Sequence, residues 1–541
     1  MKAAIVCSDL SFAWADGTPV LDHLDVAFDA GRTALIGVNG SGKSTFLRLV
    51  AGELRPTGGT MSVDGDVGYL PQAMPLDTDR SVSQLLGIAE TRAALDAIER
   101  GEATESNFAT VGEDWDIDDR ARAQLAQLGV TVGDDVLDRH IATLSGGEAA
   151  LVGLAALRLR RPAVTMLDEP TNNLDRSARE RLYAAVESWP GVMIVVSHDR
   201  ELLDLMDQIA ELRAGSVRTY GGTFTEYQEQ LAIEQEAAQR QVRASQAAVD
   251  REQRQLIEAR TKLDRRARYG QKDSAEKRKP KIVLNQRKRD AQVSAGKHRI
   301  MQTEKVERAR QKLDQAERAV RDDDRIRVDL PRTAVPAGRT VLEIDHNDGR
   351  LTIRGPERVA LTGPNGSGKT TLLRAVAGTP GDGTVPGGAV VQATVGAVGY
   401  LPQRLDMLDD ERSVLDNVRE AVPSATPHAV RAGLARFLIR GAQVEQPTGT
   451  LSGGERFRVV LARLLLADPP PQLLLLDEPT NNLDLASVEQ LQDALAAYRG
   501  ALLVASHDLP FLRSVGITTW WSIDRARGGG DRARPVRLLS A

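Results

Sequence analysis

GVNGSGKST at residues 37–45 and GPNGSGKTT at residues 363–371 carry one nine-residue pattern twice. Each copy opens the same ordered series. LSGGE follows at 144–148 and 451–455, then an apolar run ending in DEPTNNLD at 168–175 and 477–484, then SHD at 197–199 and 506–508. Asp168 to His198 and Asp477 to His507 are both 30 residues (198 − 168 and 507 − 477). Two accidents would not keep that interval, so the chain is read as a tandem duplication. The fold class expected is α/β: two phosphate-loop nucleotide-binding domains joined by a different kind of segment.

Bulk properties agree. At 541 residues the chain is too long for one core. Its 41% hydrophobic content is ordinary for a globular protein. No apolar run approaches the ~18 residues of a membrane span. MKAAIVCSDLSFAW at the start has no apolar leader with a cleavage site. Cys7 is the single cysteine, which excludes an internal disulfide and fits a reducing cytoplasm. The expected location is cytoplasmic.

The nine-residue pattern contains G-x-x-x-x-G-K-[ST]. Gly37, Gly40 and Gly42 let the backbone turn so that its N–H groups, with those of Asn39, Ser41 and Thr45, converge on phosphate oxygens. A following helix adds its positive end. Lys43 reaches the terminal phosphates, and the Ser44 hydroxyl can hold Mg²⁺. The second copy supplies Gly363, Asn365, Gly366, Ser367, Gly368, Lys369, Thr370 and Thr371. VTMLDEP and LLLLDEP read as buried parallel strands, whose C-terminal ends are where α/β sheets place ligands. Asp168 and Asp477 are then candidates to hold Mg²⁺, and Glu169 and Glu478 to polarise the attacking water. Alone, a strand-end Asp-Glu pair would read as a helix cap or solvated turn.

With these motifs the chain resembles the ATP-binding cassette superfamily over about residues 1–222 and 335–520. The resemblance implies that Ser145, Gly146 and Gly147 close over ATP on the second phosphate loop, and Ser452, Gly453 and Gly454 over ATP on the first. It also implies that Gln72 and Gln403, each in YLPQ, sense Mg²⁺ and water, and that His198 and His507 are switch histidines at the γ-phosphate. Trp14 suits the aromatic that stacks on adenine, but no aromatic counterpart lies near 341–346. The first signature continues Ala149-Ala150, the second Arg456-Phe457-Arg458. The two sites are expected to be unequal.

The expected division is 1–222, a linker 223–330, 331–520, and a basic tail 521–541. In the linker Val242, Val249, Leu256 and Leu263 recur every seven residues, as do Val306, Leu313 and Val320. Two heptad segments around a break read as an antiparallel helical hairpin. The break, 264–299, holds 13 Lys or Arg against 4 Asp or Glu, a formal +9, with Gly270 and Pro280 expected to interrupt helix. A basic tip suits a polyanion contacted mainly through its backbone, and Tyr269 is its single aromatic; a solvated charge run is the plainer alternative.

Paired cassettes with a basic helical linker, entered through GGTFTEYQEQ at 221–230, resemble the ABC-F family. That resemblance implies a translation factor or ribosome-protection ATPase whose linker tip reaches tRNA and rRNA. ATP binding would close the cassettes within a single monomer, and hydrolysis would release them. The alternatives are the ATPase subunit of an exporter with a separate membrane partner, or a DNA-associated ATPase. Lys43 to Ser145 spans 102 residues and Lys369 to Ser452 spans 83, so the first cassette carries 19 extra, expected as a small arm near 87–120 or as drift of its helical part.

Overall fold

The computed structural model describes residues 4–74, 79–130, 133, 135–213, 215–275, 300–301, 303–317, 325–346, 349–378, 389–481, 483–524 and 537–540. The chain divides into two compact units, Met1–Phe224 with Asp324–Ala541, and Thr225–Asp323.

The first unit contains both copies of the motif series on the same strand plan. In the first cassette β1 (Ile5–Ala13), β2 (Pro19–Phe28) and β4 (Gly58–Val63) form an antiparallel sheet in the order β2-β1-β4. A second sheet runs β5-β6-β7-β3-β8-β9, from β3 (Gly31–Ile36), β5 (Val67–Leu70), β6 (Val164–Asp168), β7 (Val192–Val196), β8 (Gln208–Arg213) and β9 (Ser216–Gly221). Its strands are parallel apart from β9. The second cassette repeats both orders with β10 (Thr340–His346), β11 (Gly349–Arg354) and β13 (Val390–Ala393), and with β12 (Arg358–Thr362), β14 (Val398–Leu401), β15 (Leu473–Asp477), β16 (Ala501–Ala505), β17 (Thr519–Asp524) and β18 (Arg537–Ser540).

Every residue of β6, β7, β15 and β16 is buried, which is why these segments read as unbroken apolar runs rather than alternating ones. Each fully buried leucine or valine among them contributes about 1.5–3 kcal/mol of transfer free energy. The apolar face between the two sheets of the first cassette is filled by Ile5, Phe28, Phe46, Met166 and Ile194. Helix α1 (Lys43–Val50) starts where β3 and the phosphate loop end, and buries Phe46, Leu47, Leu49 and Val50.

Between β5 and β6 stand α2 (Val82–Leu85), α3 (Ala89–Glu99), α4 (Glu105–Val111), α5 (Ile117–Gln127) and α6 (Gly146–Arg160). The second cassette has helices Val414–Ala421 and Pro427–Arg436 before its signature helix Gly453–Leu465. The 19 extra residues are therefore accommodated in a helical arm that includes α3 and α4, which lie against each other. After β6 the first cassette continues with α7 (Arg176–Glu187) and α8 (Arg200–Leu203), matched by Leu485–Ala497 and Leu509–Ser514.

Two expectations need correction. The tail does not begin at 521: Trp521 (2% exposed) and Ile523 (0%) are core residues of β17, and β18 pairs with β17 antiparallel, as β9 does with β8. Buried strand residues outweigh the local run of arginines, several of which (Arg525, Arg527, Arg532, Arg534) lie outside the described residues. Likewise the second cassette starts before 331, since Ile326 and Leu330 join its core.

In the second unit α9 (Phe224–Ala275) runs 52 residues, and residues 300–301 and 303–317 are helical again. Val249 and Val306 are buried and Val242, Leu256 and Leu313 half-buried, as the seven-residue repeat expects. One groove is lined by Gln241, Ala244 and Ala248 from α9 and by Arg308, Ala309 and Lys312 from the second helical stretch. Gly270 does not interrupt α9, because a helical glycine costs about 1 kcal/mol, too little to end so long a helix. Pro280 and the clusters Lys277–Lys279 and Arg287–Arg289 lie outside the described residues.

Candidate functional site

Strands β3, β6 and β7 are neighbours, and their C-terminal ends bring the separate motifs together. The phosphate loop leaves β3, Asp168 closes β6 opposite Val196 of β7, and Ser197-His198 follow β7. The same holds for β12, β15 and β16, with Asp477 opposite Ala505.

The two phosphate loops have one shape. Gly42 and Gly368 precede their helices with φ 99°, a left-handed conformation that favours glycine. Lys43 Nζ donates to the carbonyls of Gly37 (2.8 Å) and Val38 (3.1 Å). Lys369 Nζ donates to Gly363 O (2.7 Å), Pro364 O (3.3 Å) and His507 Nε2 (2.9 Å). Burial lowers both ammonium groups, against the pull of nearby carboxylates. Ser41 and Ser367 present hydroxyls that are buried without a hydrogen-bond partner, one in each loop. Such orphaned polar groups, with Gly40 and Gly366 open beside them, fit a phosphate group. Thr45 and Thr371 are half-buried in the first turns of their helices.

Beside each loop stands a strand-end carboxylate. Thr370 Oγ1 donates to Asp477 Oδ1 (3.2 Å), and Tyr400 OH donates to Oδ2 (3.1 Å). Tyr69 OH likewise donates to Asp168 Oδ2 (3.3 Å), while Asp168 Oδ1 is buried without a partner. Burial raises both carboxyls above the usual range; the neighbouring hydroxyls and lysines work against it. No group of three or more His, Cys, Asp or Glu able to hold a metal occurs among the described residues. One carboxylate and one hydroxyl per site (Ser44 with Asp168, Thr370 with Asp477) suit Mg²⁺, which takes few protein oxygens and completes its shell with water and phosphate.

Glu169 and Glu478 are strained alike, with φ 50° and φ 45°. Left-handed backbone at a non-glycine residue costs about 1–3 kcal/mol and persists where the surroundings enforce it. Glu169 N–H donates to Val196 O and Glu478 N–H to Ala505 O, both at 2.8 Å, which extends each sheet one residue past the strand and leaves each side chain beside a histidine, His198 or His507. His198 Nε2 lies 3.0 Å from Glu169 Oε1, and His507 Nε2 lies 3.4 Å from Glu478 Oε1. Burial pushes Glu478 up to about 7 and His507 down to about 3, and moves Glu169 and His198 in the same directions.

Each signature is a capping box. Ser145 Oγ accepts from Glu148 N–H (3.2 Å) and Glu148 Oε2 accepts from Ser145 N–H (2.8 Å); Ser452 and Glu455 repeat this. The pattern S-x-x-E thus has a local structural purpose besides any ligand role. Ser145, Gly146, Ser452 and Gly453 are exposed, Gly147 is buried and Gly454 half-buried. Gln72 and Gln403 are exposed in the turns after β5 and β14, and among the described residues they make no hydrogen bond to the site carboxylates. Trp14 is 41% exposed, edge-on to Phe12 with ring centroids 5.0 Å apart, and β10–β11 carries no aromatic. Arg456 is structural: its Nε donates to Leu405 O (3.0 Å), and Phe457 is buried.

The contacts the motif reading passed over are those that join the cassettes. Asn39 N–H, in the first phosphate loop, donates to Asp484 Oδ2 of the second cassette (2.7 Å). Asn365, in the second loop, donates through Nδ2 to Asn173 O of the first cassette (2.7 Å). The NNLD segments, quoted with the strand-end carboxylates but given no role, therefore touch the opposite phosphate loop. Their signal was available, since the motif repeats through its last Asp.

The ABC transporter family model matches residues 21–172 and 346–481. The chain is 32% identical over 533 residues to the tylosin resistance ATP-binding protein TlrC of Streptomyces fradiae, covering 91% of this chain and 92% of TlrC. It is 31% identical over 533 residues to the energy-dependent translational throttle protein EttA of Mycobacterium tuberculosis, covering 91% and 87%. The chain belongs to the ABC-F family of ATP-binding cassette ATPases. Among solved structures, the archaeal ribosome recycling factor aABCE1, in complex with the ribosomal stalk protein aP1, matches with TM-score 0.54 at 19% identity, covering 98% of this chain and 89% of that one. At that identity the likeness is one of fold. In this ABC-F chain the fold is two cassettes facing each other through NNLD. No helix among the described residues is long and apolar enough to cross a membrane.

Proposed function

We propose that this protein is a cytoplasmic ATPase that acts on the ribosome as a monomer, its cassettes pairing within one chain. The carrying observation is that each phosphate loop is touched by the NNLD segment of the other cassette. ATP at either site is then bound by both halves, and closure follows from binding energy. Each site divides its work among matched residues. The loops Gly37–Thr45 and Gly363–Thr371 hold the phosphates, and Ser145–Gly147 and Ser452–Gly454 close from the opposite cassette. Ser44 with Asp168, and Thr370 with Asp477, hold Mg²⁺, assisted by Gln72 and Gln403; the ion neutralises phosphate charge when bound. Glu169 and Glu478 orient the attacking water, and His198 and His507 face the terminal phosphate. Trp14 stacks on adenine in the first site.

We assign residues 223–330 as an antiparallel helical coiled-coil linker, supported by the 52-residue α9 and the buried Val249 and Val306. Its basic segment 264–299 is the part that contacts rRNA and tRNA through their phosphates. TlrC is named for tylosin resistance and EttA for a translational throttle. These relatives support a ribosomal role, and drug protection and translation control are its two forms.

The test is Glu169→Gln with Glu478→Gln, which keeps the shape of both sites and removes the base. With ATP present the double variant should sediment with ribosomes, and without ATP it should not. A variant that sediments free of ribosomes, or follows membranes or duplex DNA instead, refutes the proposal.

A further inference from the structure

The strand orders repeat in the two cassettes, but the interface between them does not. Arg179 on α7 is held within its own cassette. Its Nη1 donates to Asp199 Oδ2 (3.1 Å) and its Nε to Leu174 O (3.3 Å); Tyr183 OH donates to the same Asp199 oxygen (2.7 Å). Asp199 follows the switch histidine His198 and caps α8 through Glu201 N–H and Leu202 N–H. Only 13% of the Arg179 side chain and 7% of the Asp199 side chain are exposed.

The second cassette lacks this arrangement. With the 309-residue offset of the motifs (484 − 175), the positions of Arg179 and Tyr183 are Val488 and Gln492. Asp508, after His507, caps the helix Leu509–Ser514 through Phe511 N–H (2.8 Å), and the helix Leu485–Ala497, which matches α7, carries no arginine to hold it. Its neighbour in space is Arg179. One small cavity between the cassettes is lined by Glu169, Arg179, His198 and Asp199 from the first and by Thr480, Asn481, Val488 and Asp508 from the second. A second contact is equally one-sided. Arg200 Nη2 lies 3.5 Å from Glu489 Oε1 across the interface, whereas the reciprocal positions hold Leu509 and Glu180 (200 + 309 and 489 − 309), and Glu180 pairs with Arg176 of its own helix.

We propose that Arg179 is a positioning residue for the second ATP site, acting from the first cassette. Anchored on Asp199, it sets its positive charge against Asp508 and so fixes the loop that carries His507. Two carboxylates, Asp199 and Asp508, each next to a switch histidine, approach across the interface, and one guanidinium serves both. Burial raises the Asp508 carboxyl and Asp199 adds to this, while Arg179 and Arg200 work against it. Removing the arginine leaves two buried carboxylates facing each other, the costly outcome for a broken buried pair. The first site gets no such support from the opposite cassette, because Val488 stands where a reciprocal arginine would be, and its own Asp199 keeps the Tyr183 hydroxyl as a second partner. Both sites are shared between the cassettes, but the second depends on the other cassette through an arginine contact that the first does not have.

This rests on Glu169 and Glu478 governing hydrolysis, so the experiment separates the two ideas. ATP turnover of the full chain is measured in the Glu169→Gln background, where the second site works, and in the Glu478→Gln background, where the first does. Arg179→Val should lower second-site turnover about tenfold and first-site turnover less than about threefold. Adding Asp508→Asn removes the unpaired charge and should restore second-site turnover to within about threefold, with Arg179→Lys intermediate. Equal losses in both backgrounds, or no restoration by Asp508→Asn, overturn the proposal and leave Arg179 a merely structural residue. ATP-dependent approach of spin labels on the two cassettes reads the same arginine without hydrolysis. Arg179→Val should raise the ATP concentration needed about tenfold, and Asp508→Asn should return it. Full turnover by the double Glu→Gln chain would count against the glutamates alone, and the closure measurement would then decide the arginine.

Discussion

Asp484 makes two hydrogen bonds whose loss can be measured separately. Its Oδ1 accepts from Ser487 N–H (2.8 Å), capping the helix Leu485–Ala497; its Oδ2 accepts from Asn39 N–H across the interface (2.7 Å). Asp484→Asn keeps a good cap but replaces a charge-assisted bond with a neutral one about half as strong, a loss of about 1 kcal/mol. Asp484→Ala removes the cap, at about 1 kcal/mol, and the whole cross-cassette bond, at about 1.5–3 kcal/mol. Hydrogen exchange resolves the two amides. In Asp484→Asn, Asn39 should exchange about fivefold faster and Ser487 at its former rate. In Asp484→Ala, Ser487 should exchange about fivefold faster and Asn39 tenfold or more. Asp175, half-buried where Asp484 is buried, should show the smaller effects. The pH dependence has a fixed sign. Burial works to raise the Asp484 carboxyl, but the bonds from Ser487 and Asn39 outweigh it and hold the group below the usual range. Its contribution is complete above the unfolded pKa of about 4 and is lost as pH falls through the folded value. The gap between wild type and Asp484→Asn should therefore close below pH about 4. Equal behaviour of Ser487 in both variants, or an Asn39 amide indifferent to both, would refute the reasoning.

Two further outcomes are expected. Gly42→Ala places a Cβ 2.8 Å from Val20 Cγ1 at φ 99°, whereas Gly40→Ala meets nothing within 4 Å at φ 82°; ATP binding by titration should fail in the first and weaken modestly in the second. Burial pushes the Cys7 thiol up to about 11, so iodoacetamide at pH 8 should leave it unmodified in the native chain and label it in urea; labelling of native chain at the unfolded rate would contradict its burial.

What the sequence disclosed follows from range. Phosphate loops, strand-end carboxylates and switch histidines are short contiguous patterns at the ends of buried parallel strands, so Lys43, Asp168, Glu169 and His198 were legible, and the duplication placed their partners. The capping function of Ser145 was open to the same kind of reading, since S-x-x-E before a helix is local, but the signature was read for its ligand role alone. The end of the second cassette was not legible: arginines in 525–537 dominated the reading of 521–541, whereas Trp521 and Ile523 are core residues of β17, which pairs with β18. Nor was the interface. Arg179 and Asp508 are 329 residues apart (508 − 179), and nothing local to either marks the other.

The distribution of likeness and unlikeness is itself informative. Lysine, aspartate, glutamate and histidine hold the same places in both sites, down to left-handed φ at both glutamates, although Lys369 also donates to His507, and so both sites carry the residues proposed for hydrolysis. Divergence lies where the cassettes meet: Arg179 against Val488, Arg200 against Leu509, Tyr183 against Gln492. A dimer of identical cassettes cannot differ in this way, because each change would appear on both sides. Once both cassettes occupy one chain, each side of the interface can change alone, and one half can supply charge that the other receives. The consequence is directional: events at the first site act on the second through Arg179 and Arg200 more strongly in kinetic terms than the reverse, although the binding free energies at the two sites remain reciprocally linked.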